Sequence, residues 1–123
     1  MQKLIYAFLL THLCACTFLI DSDVRSAQAI DSYLDAGNIW AANNFYEGLQ
    51  EAEKKGVAVS KAHVILTTKL SEIRKITINA AEAAVKVSDW KKAIDLYQEQ
   101  LPLVEIDKAF NTSYQNFLNK RQR

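Results

Sequence analysis

The 123-residue chain holds little that breaks a helix, with three glycines and one proline. These two residue types are the strongest local interrupters of regular structure, so long uninterrupted helices are expected. Alternating apolar and polar runs rich in β-branched residues are missing, which argues against sheet. Cysteine is confined to Cys14 and Cys16. A disulfide framework is therefore excluded for residues 30–123, and their stability has to come from packing. Charge of one sign is also lacking: 15 lysines and arginines face 14 aspartates and glutamates, a net charge of +1. A near-neutral chain has no electrostatic support for binding nucleic acid. The HExxH, CxxC, GxSxG and glycine-rich phosphate-loop patterns do not occur.

Long apolar runs are scarce too, and the one present opens the chain. Lys3 is followed by an apolar stretch from Leu4 to Ile20, interrupted by Thr11 and His12, then by a polar segment and Ala27-Gln28-Ala29. A basic start, an apolar middle and a small-x-small pattern read as a secretory leader, cleaved after Ala29. The reading divides the chain into a signal segment, 1–29, and an all-helical domain, 30–123. Leu13-Cys14-Ala15-Cys16 also resembles a bacterial lipobox, in which Cys16 would be lipidated and become the mature N-terminus. An uncleaved anchor is the third possibility, and the run is at the short end for a membrane span. All three send the chain out of the cytoplasm, to the periplasm or beyond. Contact with a membrane is expected only through an uncleaved leader or a lipidated Cys16.

Beyond the leader the apolar residues recur with helical period. Asp31 is a candidate N-cap for a segment over 32–55, broken by a turn or kink at Gly37-Asn38. Ile39, Ala42, Tyr46 and Leu49 then form one stripe, with Trp40 and Phe45 beside it. Gly56 is a candidate C-cap, and Val57 to Val59 a short link. Ser60 is expected to cap a long helix ending near Val87. Its Leu66, Leu70, Ile73, Thr77, Ala80, Ala84 and Val87 form a heptad-like seam suited to antiparallel packing. Ser88 or Asp89 is expected to cap the next helix, whose apolar side carries Trp90, Ala93, Ile94, Tyr97 and Leu101. Pro102 ends that helix, and a last one is expected over 103–119. Its apolar side carries Val104, Ile106, Phe110, Tyr114, Phe117 and Leu118, and the basic tail after it complements the helix dipole. The fold class is all-α, made of antiparallel helical hairpins.

The stretch from Ala80 to Tyr97 resembles a tetratricopeptide (TPR) repeat. Ala80 and Ala83 match the small residues of that family's first helix, Ser88-Asp89 its turn, and Trp90, Ala93 and Tyr97 its second helix. Gly37-Asn38-Ile39 with Ala42 and Tyr46 echoes Ser88-Asp89-Trp90 with Ala93 and Tyr97, displaced by 51 positions. The family's own period is 34 residues, so a regular superhelix is not implied. The fold is accordingly either TPR-like or an irregular four-helix bundle whose helices meet at alanines. The resemblance implies a scaffold that docks other proteins.

No chemistry-bearing cluster accompanies these helices. His63 stands alone beyond the leader, and a metal site needs three or four ligands together. Asp31/Asp35 and Glu47/Glu51 are acidic i, i+4 pairs of the kind found on solvated helix faces. Asn111-Thr112-Ser113 is an N-glycosylation pattern inside an expected helix. Neither an enzyme, a cofactor nor a metal is expected. The aromatics Trp40, Tyr46, Trp90 and Tyr97 are the candidate binding residues, against the simpler role of core packing. The expected function is an exported, non-enzymatic module that docks a protein or peptide partner. The alternative is a small helical carrier holding an apolar ligand or lipid between its helices.

Overall fold

The computed structural model of the chain describes residues 22–123. Seven α-helices and no strand occur among the described residues, as the scarcity of glycine, proline and alternating patterns requires. They are α1 over 22–35, α2 (Ile39–Glu47), α3 (Glu51–Lys54), α4 (Val57–Lys86), α5 (Trp90–Glu99), α6 (Leu101–Ile106) and α7 (Lys108–Arg121). The chain divides into two compact units, with the boundary inside α4 between Ile65 and Leu66. Residues 1–21 of the expected leader, with Cys14 and Cys16, lie outside the described residues.

In the N-terminal unit, α1 runs through Ala27-Gln28-Ala29 without a break. Asp31 therefore sits inside α1 and not at an N-cap: the helix is already formed in the polar segment upstream. Ala27, Ile30 and Leu34 recur at spacings of 3 and 4 and are buried, together with Ile39 and Ala42 of α2 and Val59 and Ala62 of α4. The start of α4 is the main departure from expectation. The helix begins at Val57, so Val57 to Val59 is no link, and Ser60 is not its cap. Ser60 Oγ instead donates to the Lys54 carbonyl at 3.2 Å. The capping group is the Asp23 carboxylate of α1, which accepts from the N–H groups of Ala58 at 3.1 Å and Val59 at 3.2 Å. Two unsatisfied donors of the first turn are thereby paired with an anion at the positive end of the helix. Gly56 is bare for the same reason, since a methyl group there would run into the Asp23 carboxylate.

In the C-terminal unit Leu66, Leu70, Thr77 and Ala84 of the expected seam are buried and Ile73 and Ala80 half-buried, with Ala81 covered beside them. Val87, the seam's last member, is 76% exposed. It lies beyond the end of α4, where the chain has left the helical path. Ala93 and Tyr97 of α5, Leu103 and Val104 of α6, and Phe110 and Phe117 of α7 complete this core.

The two hairpin turns share one geometry. At the end of α1, Gly37 has φ 73°, Asn38 N–H donates to Tyr33 C=O at 2.8 Å, and Gly37 N–H to Leu34 C=O at 3.0 Å. At the end of α4, Ser88 has φ 60°, Asp89 N–H donates to Ala84 C=O and Ser88 N–H to Val85 C=O, both at 2.9 Å. Both are Schellman turns with a left-handed residue after the helix. In each, the next residue caps the following helix. Asn38 Oδ1 accepts from Ala41 N–H at 3.0 Å, and Asp89 Oδ1 from Lys92 N–H at 3.1 Å. The turn expected at Gly37-Asn38 and the cap at Asp89 are thus in place, and Ala42 and Ala93 are both fully buried behind them.

The expected last helix is two. α5 ends at Glu99, ahead of Pro102, which sits in the first turn of α6, where a missing N–H costs nothing. The break falls at Asp107, whose extended backbone separates α6 from α7. The left-handed turns give a direct test. Ser88→Gly relieves a side chain held at positive φ and is expected to raise stability by about 0.5–1 kcal/mol, whereas Gly37→Ala at the equivalent position lowers it by about 1 kcal/mol. Urea unfolding of both variants against wild type checks the opposite signs.

Candidate functional site

In the C-terminal unit a cleft of about 520 Å³ lies between the end of α4, α5 and α7. Each helix supplies one stripe. Ala81, Val85 and, a turn apart, Glu82 and Lys86 come from α4; Trp90 and Tyr97, seven residues apart, from α5. From α7 come Ala109, Thr112, Asn116 and Lys120, at spacings of 3, 4 and 4, with Ser113 and Phe117 deeper.

The floor is held by aromatic packing. Phe110, Ser113, Tyr114 and Phe117 recur at i, i+3, i+4 and i+7 and turn one face of α7 toward Tyr97. The Tyr97 ring lies 5.1 Å from that of Phe117, 5.0 Å from Tyr114 and 6.1 Å from Phe110, centroid to centroid. These tilted pairs contribute about 0.5–1.5 kcal/mol each beyond simple burial. Trp90 stands on the wall, 5.8 Å from Phe117 and only partly covered. The Tyr97 and Ser113 hydroxyls are 2.9 Å apart and share a hydrogen bond, so these two polar groups of the floor satisfy each other. Burial raises the Tyr97 phenol above its ordinary value of 10.0; the Ser113 bond opposes that rise, and Glu82 adds to it.

Asp107 sets the position of α7. Its Oδ1 accepts from Phe110 N–H at 2.9 Å, capping α7, while its Oδ2 pairs with Arg74 Nη1 of α4 at 2.7 Å. The Asp107 side chain is 9% exposed and Arg74 29%. A charge so covered needs both partners, since an unpaired buried carboxylate is costly. One residue thereby ends α6, starts α7 and ties that start to α4.

The rim is polar and open. Glu82, Lys86, Thr112, Asn116 and Lys120 are exposed, as is Ala109. Lys86 closes α4 and Lys120 lies in the last turn of α7. Two ammonium groups against one carboxylate make the rim net positive.

Of the four aromatics singled out from the sequence, Trp90 and Tyr97 come together in this cleft. Trp40 and Tyr46 belong to the N-terminal unit. Trp40 is 45% exposed on α2. Tyr46 stacks on His63 of α4, with ring centroids 3.8 Å apart and planes 5° from parallel. Lys54 Nζ lies 5.2 Å above the Tyr46 ring and pairs with Glu47 at 3.6 Å and Glu51 at 3.4 Å. His63 is half-buried. No group of three metal-binding side chains occurs among the described residues, and none of their helices is long and apolar enough to cross a membrane. Cys16, the candidate lipidation site, lies outside the described residues. Sequence reasoning named the α5 half of the cleft and missed the α7 half. The available signal was Asp107 three residues before Phe110, an N-cap pattern that restarts the helix.

Comparison with protein-family models, with curated proteins and with solved structures finds no match.

Two measurements test this geometry. Asp107→Asn keeps a capping oxygen and loses the charge, whereas Asp107→Ala loses both and strands Arg74. The alanine variant is expected to be less stable by about 2–3 kcal/mol and the asparagine variant by roughly half that, read by urea unfolding. For Tyr97, a folded pKa above the unfolded one means its contribution is intact below pH 10 and is lost as pH rises through the folded value. Melting temperature followed from pH 7 to 11 should fall above pH 10, with a shallower fall in Tyr97→Phe.

Proposed function

We propose that the protein is an exported, non-enzymatic helical interaction module of TPR-like build, and that the cleft of its C-terminal unit docks a peptide segment of a partner protein. The observation that carries this reading is the cleft: apolar walls from Val85 and Trp90 over a floor that includes Phe117, beneath an exposed polar rim with two lysines. Apolar surface inside and a few polar groups at the edge is the usual build of a binding groove. The matched pair of Schellman turns, each followed by a buried alanine, supports the resemblance to TPR hairpins. Export rests on Lys3, the apolar run and the small-residue pattern of the leader.

The chemistry of the cleft selects the occupant. Lys86 and Lys120 favour an anion, and Trp90 favours an apolar or aromatic side chain. A segment combining a carboxylate with a bulky apolar residue fits both. A carrier would enclose its ligand between helices. Here six of the lining residues, Glu82, Lys86, Ala109, Thr112, Asn116 and Lys120, are exposed, and the core beside them is filled by Tyr97, Phe110 and Phe117. That favours docking over enclosure.

The test uses fluorescent peptides ending in an aromatic residue with a free carboxylate, followed by anisotropy. Wild type is expected to bind saturably. Asn116→Trp, which fills the cleft from an exposed position, should weaken binding at least about tenfold, or 1.4 kcal/mol. Lys120→Glu should act in the same direction. Equal binding by wild type and Asn116→Trp would exclude this cleft, and a stoichiometric lipid in organic extracts of the purified protein would favour the carrier instead.

A further inference from the structure

The Ala27-Gln28-Ala29 pattern, on which the leader's expected end depends, lies inside a helix of the folded protein. Residues 22–35 are continuous helix, with Ala27 and Ile30 buried on the face that also carries Leu34. Four residues before Ala27, on that side of the same helix, Asp23 reaches the start of α4 and accepts from both Ala58 and Val59. Gly56 leaves the space that the carboxylate occupies. Three separate features, the capping bonds, the bare glycine and the buried alanine, thus use residues on the N-terminal side of the expected cut.

Cleavage after Ala29 would remove all of them. The remnant of α1 would be residues 30–35, less than two turns, and too short to hold helical form without strong packing. The first turn of α4 would lose the only side-chain acceptor that its Ala58 and Val59 N–H groups have among the described residues.

We propose that residues 22–29 are retained in the working protein, so that any processing of the exported chain falls on the N-terminal side of Ser22. The small-x-small pattern is then a product of helix packing: Ala27 is small because it is buried, and Ala29 because it lies on the half-covered flank of the same helix. The proposal concerns the folded boundary. It borrows from the functional reading only the premise of export, and one arm of its test does not use that premise.

The full chain is expressed with passage through a bacterial secretory pathway, and the intact mass of the product is measured for wild type and Ala29→Gln. A cut at Ala29 requires a small residue there. The expected product begins at or before Ser22, and Ala29→Gln changes the mass by the substitution alone. An uncleaved product also retains the helix and agrees with the proposal. A product beginning at Ile30, abolished by Ala29→Gln, would overturn it. Independently of export, Asp23→Ala in the full chain is expected to lower the melting temperature by roughly 5 °C, the usual effect of losing a helix cap in a domain of this size. An unchanged melting temperature would mean that Asp23 does not hold α4, and the structural ground for the proposal would be gone.

Discussion

The C-terminal unit depends on the carboxylate of Asp107. Its two oxygens are used in different directions, one along the chain to Phe110 N–H and one across it to Arg74. The first bond makes a helix start where the chain would otherwise continue α6. The second fixes that start against α4. Once α7 is anchored there, its helical period decides the rest. One stripe, Phe110, Ser113, Tyr114 and Phe117, meets Tyr97, and the neighbouring stripe, Ala109, Thr112, Asn116 and Lys120, is left as the wall of a cleft. Because Arg74 and Asp107 are both largely covered, the pair specifies position more than it adds stability: desolvating the two charges offsets much of their attraction.

The N-terminal unit solves the same problem with a different anchor. Asp23 of α1 plays for α4 the part that Asp107 plays for α7, accepting from backbone donors at a helix start, but it does so from another helix. In both cases an acidic side chain sits at the positive end of a helix, where the field of the aligned peptides favours it. The difference is distance along the chain. Asp107 caps its own helix, whereas Asp23 and Ala58 are 35 positions apart. This is how residues 22–29 of α1, which read in sequence as the tail of a leader, come to be tied to the start of α4.

The two hairpins show how far a repeated pattern extends. Gly37-Asn38 and Ser88-Asp89 adopt the same left-handed turn and the same capping bond, and Ala42 and Ala93 are buried alike. Beyond the turns they diverge. Tyr97 is 2% exposed and forms the floor of an aromatic cluster, whereas Tyr46 is half-buried and stacks on an imidazole. The local geometry of a helix turn is set by four or five residues. What its aromatics meet is set by a helix further along the chain, α4 for Tyr46 and the aromatic stripe of α7 for Tyr97.

The sequence alone determined the helical class, the buried seam of α4, the turn at Gly37-Asn38 and the cap at Asp89. These follow from interactions within about one helical turn, where spacing along the chain is distance in space. It also marked Trp90 and Tyr97, because their separation of seven residues places them on one side of a helix. Tertiary structure decided what depends on residues distant in sequence: that α4 starts at Val57 beneath Asp23, that the last helix divides at Asp107 opposite Arg74, and that α7 completes the cleft. A carboxylate in a sequence looks solvated until its partner is known, and no local pattern pairs Asp23 with Ala58 or Asp107 with Arg74.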